Sequence, residues 1–413
     1  MSLSPRSLSK SRWLLMPVLM CASGTAVAQD SSIYVQCPDT TELHPAGGDG
    51  IKCAHLVAGD GMVTMADDGE RPMYIFSYAA LPDDGPVVNS PDYPGWVMDE
   101  GILAANSPAP TLAIDEDDEF FLTLTNVGMA MRPDLADPHT VHWHGFPQAA
   151  AIFDGVPDSS VSINMGASLT YYYNAQDAGT YMYHCHVEAT EHMQMGMLGN
   201  LYVRPRQNKL ADGTNLSGFV HQTGNTYAYN DGDGSTFYDV EYPIQLGSFD
   251  PNYHDASFQV QPLPFASMRD TFFMLNGRGY PQTVDPDPIS TVDPLGKEQV
   301  SQPISSLITA DAGEVILLRI SNLNVTQFNT IATNGIPMTV VAEDARLLRD
   351  DAGNNLYYQT QSLTLGGGQA YDVLIDTTGL ASGSTYFLYT SNLHQLANDV
   401  ENFGGMMTEI RIN

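Results

Sequence analysis

Hydrophobic residues after Met73 occur in short runs separated by turn-forming segments. The runs are rich in β-branched and aromatic residues, and they read MYIFSYAAL, TLAI, FFLTLTNV, TVHWH, LTYYYN, TYMYH and NLYVRP. Short runs of this composition, spaced in this way, are typical of the strands of a β-sandwich. The pattern therefore predicts an all-β fold.

The same pattern returns in the second half of the chain. FFLTLTNVG corresponds to VILLRISNLN, GASLTYYYNAQDAGTYMYHCH to GGGQAYDVLIDTTGLASGSTYFLYTSN, and MGMLGNLYV to GGMMTEIRI. An internal repeat of this kind indicates two sandwiches of common ancestry. A length of 413 residues is compatible with two domains. We predict domains at 69–206 and 239–413, joined by a linker at 207–238 that is rich in Gly, Asp and Asn.

The first 28 residues have the pattern of a secretory signal peptide. Basic residues precede an apolar run that ends in small residues: Arg6, Lys10 and Arg12, then the run from Trp13, then Ala26, Val27 and Ala28. We predict a periplasmic or secreted protein. Residues 29–68 are rich in Gly, Asp and Pro with little periodicity, so we predict an N-terminal extension there.

Three cysteines remain after the predicted signal peptide. Cys37 and Cys53 can pair in an oxidising compartment, which would pin the extension and contribute ~3 kcal/mol in the chain-entropy model. Cys185 is then left as a thiolate between two histidines. An intermolecular disulfide through Cys185 is the alternative.

The chain is strongly acidic. Its net charge of −32 would become −35 on loss of the three basic signal residues. Such a surface repels nucleic acid and anionic membranes, and it favours cationic reductants, metal ions or basic redox partners. Solubility in a salty medium explains the charge equally well. Beyond the signal peptide no uncharged run approaches the length of a membrane span, so we predict no membrane insertion.

Two short segments concentrate the residues that bind metals. PHTVHWHG spans 138–145, and TYMYHCHVEATEHMQMGMLG spans 180–199. A thiolate, two imidazoles and a weak thioether form the ligand set of a blue type 1 copper centre. The predicted ligands are His139, Cys185, His192 and Met197.

Four further histidines form two His-x-His pairs, His142 with His144 and His184 with His186. Residues i and i+2 of an extended strand point to the same face, so each pair offers two imidazoles to one region. Because Cys185 lies between His184 and His186, its thiolate points to the opposite side. One segment is therefore predicted to hold two metal sites back to back.

These motifs resemble those of the multicopper oxidase and copper nitrite reductase superfamily. The resemblance rests on HWHG, DGVP at 154–157, GTYMYHCH and the His-x4-Met ending, and it extends more weakly to residue 413. It implies Greek-key domains of the cupredoxin type, and it assigns the two His-x-His pairs to half of a type 2/type 3 copper cluster. Six residues separate Cys185 from His192, a loop length that favours the two-domain branch. The resemblance further implies a homotrimer.

The second repeat lacks the metal-binding residues of the first. Thr390, Ser391 and Asn392 are expected where the first repeat has His184, Cys185 and His186, and FNTIATNG at 328–335 contains no histidine. A full cluster in this family uses eight histidines in four pairs. The remaining histidines are unpaired: His44, His55, His221, His254 and His394. We expect an incomplete second site, to which His394 could contribute across a subunit interface.

The resemblance predicts an exported copper-dependent oxidoreductase. Electrons from a reductant would enter at the type 1 site and pass through Cys185, His184 and His186 to a site that reduces dioxygen. Phenols, Cu(I), Mn(II) and a small redox protein all remain open as the reductant. Glu188, Glu191 and Asp154 are candidate proton relays, with solvated loop acids as the alternative.

Two other functions also remain open. A copper nitrite reductase is disfavoured because His142 occupies the position of that family's aspartate. A non-catalytic blue-copper electron carrier fits the missing ligands, but it has no use for four more imidazoles.

Overall fold

Strands dominate the structure, as the short hydrophobic runs predict. The computed structural model describes residues 33–65, 71–399 and 401–413, so the predicted signal peptide lies outside the described residues. The strands are β1 Ile51–Thr64, β2 Pro72–Ala80, β3 Ala109–Asp115, β4 Glu119–Gly128, β5 His142–His144, β6 Ser168–Asn174, β7 Gly179–His184, β8 Leu198–Arg204, β9 Asn215–Leu216, β10 Phe219–Val220, β11 Thr226–Tyr227, β12 Phe237–Tyr238, β13 Val240–Phe249, β14 Phe272–Leu275, β15 Ile289–Val292, β16 Glu298–Gln302, β17 Ile308–Ala310, β18 Val315–Asn322, β19 Asn329–Thr333, β20 Met338–Glu343, β21 Arg346–Leu347, β22 Tyr358–Thr360, β23 Ser362–Leu365, β24 Gln369–Asp376, β25 Thr385–Thr390 and β26 Met407–Ile412.

Helices are short and lie between strands. The α-helices of the described residues are α1 Tyr93–Gly101, α2 Ala189–Gln194 and α3 Pro251–Phe258, and 3-10 turns occur at Ala151–Phe153, Arg206–Lys209, Phe265–Ser267, Gln282–Val284 and Leu393–Leu396. None of these described helices has the length and apolar character that crossing a bilayer requires.

The first sandwich consists of two four-stranded sheets. Their strand orders are β2-β1-β4-β6 and β3-β8-β7-β5. Alternate residues of β4, such as Leu122 and Leu124, enter the core between the sheets, as the period-two pattern requires. Trp143 of β5 stacks on Tyr173 of β6 with ring centroids 3.6 Å apart. The strand that carries the first His-x-His pair is thereby fixed against the opposite sheet.

The second sandwich repeats the pairing of the first. Its sheets have the orders β14-β13-β18-β24-β20-β21, with β22 also on β20, and β17-β26-β25-β19-β23. In both sandwiches a long first strand runs parallel to its partner, β1 with β4 and β13 with β18. The last strand also runs parallel to a short edge strand, β8 with β3 and β26 with β17. The prediction of two related sandwiches is confirmed.

The predicted extension at 29–68 is wrong for residues 51–64, which form β1 inside the first sheet. The sequence conceals this strand because Gly59, Asp60 and Gly61 resemble a turn. A Cβ at Gly59 would lie 2.8 Å from Val127 Cγ2, so the close approach of β4 favours glycine there. The Asp60 carboxylate accepts the N–H groups of Ala130 and Met131 at 3.0 and 2.8 Å. The predicted Cys37–Cys53 disulfide is present and joins the preceding segment to β1.

Residues 207–238 form a packed connection rather than an open linker. They contain the two ribbons β9-β10 and β11-β12. Ala228, Tyr229 and Tyr238 are buried against Leu317 of β18 and Val341 of β20. Aromatic residues embedded among Gly and Asp give this segment an apolar face, which a composition-based prediction overlooks.

A buried charged cluster joins the two sandwiches. Arg319 of β18 is fully buried, and its Nε donates to Glu241 Oε2 at 3.0 Å. Its Nη1 donates to Thr180 Oγ1 of β7 at 3.0 Å and lies 3.7 Å from Asp372 Oδ1 of β24. Tyr229 donates a further hydrogen bond to Asp372. The cluster thus connects the first sandwich, the packed connection and the second sandwich.

We expect Arg319→Met to destabilise the protein by about 3–5 kcal/mol, because it leaves Asp372 as a buried charge without its cation. Urea unfolding measures this free energy. Arg411→Met is the control, since Arg411 pairs with Glu409 in a half-exposed position and such pairs contribute less than about 1 kcal/mol. Equal effects of the two substitutions would contradict the role of the cluster.

Helix α3 packs on the first sandwich through His254. This fully buried ring lies with Nδ1 2.6 Å from the Tyr74 carbonyl oxygen and Nε2 2.9 Å from that of Gln194, at the end of α2. A neutral imidazole can donate to only one of these two acceptors. Both carbonyl groups raise the pKa of His254, but the opposite effect of burial is larger and lowers it to about 4.

This lowered pKa predicts a pH-dependent stability. Between about pH 4 and pH 6.5 the folded chain binds fewer protons at His254 than the unfolded chain does. The stabilisation is therefore present above about pH 6.5 and is lost as the pH falls towards 4, by about 3 kcal/mol. Urea unfolding of copper-free wild type and His254→Gln at pH 7 and pH 4 tests this, and the wild type should lose about 3 kcal/mol more. Parallel losses would contradict the assignment.

Candidate metal centre

The structure brings Cys185, His139 and His192 together in the first sandwich. His192 Nδ1 lies 3.1 Å and His139 Nδ1 3.9 Å from Cys185 Sγ. All three side chains are fully buried. Their donor atoms lie within 4.8 Å of one another, which is close enough to bind one ion.

Backbone hydrogen bonds close the loop that carries these ligands. The Cys185 N–H donates to the Met197 carbonyl at 3.2 Å, and the Met197 N–H donates to the His192 carbonyl at 2.9 Å. Met197 is fully buried and belongs to the same core cluster as Cys185. One thiolate, two imidazole nitrogens and a thioether residue suit copper better than a hard cation. The residues present therefore fit the group that the sequence predicts.

Thr140 supports both sides of Cys185, a role that the sequence analysis missed. Its N–H donates to Cys185 Sγ at 3.5 Å, and its Oγ1 accepts the His186 N–H at 3.1 Å. Its position next to His139 was the available signal. Thr140 thus fixes the thiolate and the adjacent backbone relative to each other.

Burial keeps the His139, His184 and His192 rings neutral and the Cys185 sulfur protonated when no cation is bound. It lowers the pKa of His192 to about 4 and the pKa of His184 to about 3, and it lowers the pKa of His139 well below its usual value. Burial also raises the pKa of the Cys185 thiol to about 11. Metal binding at this set therefore releases the thiol proton, while the imidazoles are ready to bind.

The two His-x-His pairs meet on the other side of the same strands. Donor nitrogens of His142, His144 and His184 lie within 4.8 Å of one another, and His144 Nδ1 is 3.4 Å from His184 Nε2. The His186 ring centroid is 5.1 Å from that of His142. Pairing of His142 with His184 across β5 and β7 sets this arrangement. Four imidazoles in one region also fit copper.

Hydrogen bonds at Nδ1 orient two of these rings. His142 Nδ1 donates to the Asp154 carbonyl at 2.6 Å, and the Asp154 carboxylate lies 3.5 Å from the same nitrogen. His184 Nδ1 donates to the Cys185 carbonyl at 2.9 Å. Both rings therefore present Nε2 to the shared space. Asp154, a candidate proton relay from the sequence, therefore lies beside the His-x-His pairs.

A cavity of about 390 Å³ opens in front of the four imidazoles. Its opposite wall comes from the second sandwich and includes Asn324 and Gly368. A Cβ at Gly368 would lie 2.8 Å from His144 Nε2, so glycine permits the close approach. Among the described residues lining this cavity, no histidine comes from the second sandwich.

Glu188 lies apart from this cavity. It is exposed at the start of α2 and influences Asp137 and Glu191 electrostatically. Asp137, which the sequence analysis did not select, lies with Oδ2 3.9 Å from His192 Nε2. Burial, with Glu188 and Asp137 nearby, raises the pKa of Glu191 to about 7. These three acids border the His192 side of the thiolate site.

The second sandwich keeps the loop that carries Cys185, His192 and Met197 in the first, but it lacks the cysteine and the histidine. The Thr390 N–H donates to the Met406 carbonyl at 3.0 Å, and the Met406 N–H donates to the Gln395 carbonyl at 2.9 Å. Strand register pairs Tyr389 with Met407, as His184 pairs with Leu198. The counterparts of Cys185, His192 and Met197 are thus Thr390, Gln395 and Met406.

This register corrects the sequence alignment of the repeats by one residue. The counterparts of His184, Cys185 and His186 are Tyr389, Thr390 and Ser391, not Thr390, Ser391 and Asn392. His142 corresponds to Ala332, since Ala332 pairs with Tyr389 as His142 pairs with His184.

Most of the other histidines have structural partners. His55 falls in the predicted extension, but it lies in β1 and contacts the Tyr93 and Thr125 hydroxyls, both at 2.7 Å. His221 is buried 3.1 Å from the Tyr227 hydroxyl. His394 is exposed, with its ring 5.5 Å from that of Phe273.

Comparisons with known proteins identify the family of this chain. Family models described as multicopper oxidase match residues 99–208 and 250–408. Multicopper oxidase MCE of Talaromyces pinophilus is 38% identical over 103 residues, which cover 24% of this chain and 16% of that protein. Laccase-1 of Emericella nidulans is 37% identical over 109 residues, which cover 25% of this chain and 16% of that protein. The chain thus matches about a sixth of the length of these relatives.

Solved structures share the fold at low identity. The blue copper oxidase of Nitrosomonas europaea superimposes with a TM-score of 0.59 and 20% identity, covering 88% of this chain and 86% of that one. The copper nitrite reductase of the same organism gives a TM-score of 0.54 and 16% identity, covering 88% and 94%. The two sandwiches are therefore cupredoxin-like. Together with the family models, which match more than half of its residues, this places the chain in the multicopper oxidase family, a family of copper-dependent oxidoreductases.

Proposed function

We propose that this chain is an exported oxidase that takes single electrons from a reductant at the type 1 set and transfers them to dioxygen at the His-x-His set. The observation that carries the proposal is the position of Cys185 between His184 and His186, with its sulfur in one ligand set and its neighbours in the other. Copper bound at His139, Cys185, His192 and Met197, and at the four paired histidines, would supply one-electron redox chemistry.

The protein connects the two ligand sets by short paths. Cys185 is covalently adjacent to His184 and His186. Its carbonyl also accepts the His184 Nδ1–H at 2.9 Å, which adds a hydrogen-bonded path beside the covalent one. His139, His142 and His144 lie in one short segment and His184, Cys185 and His186 in another, so the backbone fixes the separation of the two sets. A rigid, short connection suits electron transfer between them.

Acidic residues at the type 1 side favour a positively charged reductant. Asp137, Glu188 and Glu191 border His192, and the whole chain carries a net charge of −32. Long-range attraction would draw a metal ion, a cationic small molecule or a basic redox protein to this side. We assign Glu188 to this border, because it does not line the histidine cavity.

Dioxygen is the acceptor that the second site suits best. The cavity of about 390 Å³ is lined by four imidazoles and has room for a small ligand. We propose that Asp154 orients His142 and supplies protons there, since its carboxylate lies 3.5 Å from the ring. Nitrite as acceptor remains the alternative.

An electron-carrier function has one observation in its favour. The described second-sandwich residues that face the histidine cavity offer no imidazole, so half of the family's cluster is missing. Against it stands the convergence of four imidazoles, which a carrier does not need. We therefore rank the oxidase first.

We further propose that the protein is exported, because it carries the Cys37–Cys53 disulfide and such bonds form in oxidising compartments. A homotrimer and a contribution of His394 to a neighbouring subunit belong to the same proposal. His394 is exposed on the second sandwich, as such a contact requires.

Copper content and gas chemistry test the function. We expect at least two coppers per chain, a blue absorption band, and oxygen uptake when a one-electron reductant is added. Metal analysis, optical and spin-resonance spectra and an oxygen electrode measure these. One copper per chain with only a blue band would favour the electron carrier. Nitric oxide release from nitrite would favour the nitrite reductase.

Cys185→Ser tests the two ligand sets separately. Removing the thiolate should abolish the intense blue band, because that band requires a copper–sulfur bond. Copper at the four paired histidines should remain, measured by metal analysis and spin resonance. An unchanged blue band would remove Cys185 from the assignment.

A further inference from the structure

Helix α2 forms the wall between the two ligand sets. It begins at Ala189, four residues after Cys185, and carries His192, whose Nδ1 lies 3.1 Å from the Cys185 sulfur. Ala189, Thr190 and Met193 line the histidine cavity on the other side. Residues three and four apart lie on one face of a helix, so these three side chains form a single face. Consecutive residues His192 and Met193 therefore serve opposite sides of the wall.

The donor atoms around this cavity differ from those of an all-imidazole site. Besides the four histidines, Thr190, Met193 and Asn324 are the described lining residues whose side chains carry a donor atom. The amide of Asn324 is already engaged: its Oδ1 accepts from Ser248 at 3.0 Å, and its Nδ2 donates to Asn329. A threonine hydroxyl is a hard and weak donor. The thioether of Met193 is thus the soft donor that remains.

We propose that Met193 is a thioether ligand of copper in the His-x-His cavity and favours its Cu(I) state there. This rests on the proposed function, since it assumes that the cavity binds copper. Thioether sulfur selects Cu(I), whereas imidazole accepts both oxidation states. Met193 lines the same cavity as the four histidines. Met193 would partly replace imidazoles that the second sandwich does not supply.

Met195 provides a matched control two residues away. It is fully buried in the first core, and its carbonyl accepts the Phe76 N–H at 3.2 Å. It is absent from the residues that line the cavity. Leucine has nearly the volume of methionine and lacks the sulfur. Met193→Leu and Met195→Leu therefore make the same chemical change at the cavity and away from it.

The test measures copper retention in both oxidation states. Copper-loaded full-length protein is reduced without oxygen and dialysed against increasing concentrations of a Cu(I) chelator, and oxidised protein is treated in parallel with a Cu(II) chelator. After reoxidation the blue band reports copper at the type 1 set. Copper lost while the blue band persists comes from the His-x-His cavity.

We expect Met193→Leu to weaken Cu(I) retention in the cavity by at least about tenfold, a typical cost of losing a supporting group at a metal site. Cu(II) retention should change much less, and Met195→Leu should match the wild type in both assays. Unchanged Cu(I) retention, or equal losses of Cu(I) and Cu(II), would overturn the assignment, because a structural role affects both states alike. Wild type with blue copper alone would instead overturn the proposed second site.

Discussion

The alternation of side chains about Cys185 is the constraint on which both ligand sets depend. An extended backbone sends neighbouring side chains to opposite sides, so a sulfur on one side requires its flanking imidazoles on the other. Pairing with β5 then brings His142 opposite His184, and the position of the second cluster follows. Thr140 hydrogen-bonds on both sides of this point. A change in strand register would therefore separate both sets at once.

The second sandwich acts on the site as a wall rather than as a source of ligands. It approaches the imidazoles through Asn324 and Gly368, and the approach is possible because glycine has no Cβ. The buried cluster around Arg319 joins β18 of the second sandwich to β7 of the first, and these strands lead to Asn324 and His184. Charged groups that do not line the cavity thus join the two sandwiches that enclose it.

Much of the site was predictable from the sequence because its ligands lie in two short segments. The six histidines, Cys185 and Met197 are local signals, and strand alternation sorts them without knowledge of the tertiary fold. The short runs likewise predicted the two sandwiches. Strand β1 was missed because Gly59 and Gly61 serve close packing against Val127 and Ala105, which a turn-forming composition conceals. Asn324 and Gly368 could not be assigned to the cavity, since only the packing of one sandwich on the other brings them there. Met193 could not be assigned either, because it reaches the cavity through α2, a helix that the strand pattern does not predict.

The loop around Thr390, Gln395 and Met406 has a consequence for how the first sandwich acquires its ion. The same pair of main-chain hydrogen bonds closes both loops, yet one of them lacks the cysteine and histidine ligands. The shape of the loop is therefore specified by the polypeptide and does not require an ion to form. An incoming ion meets a receptor that is already organised, so little conformational entropy is lost on capture, and selectivity depends on the donors presented.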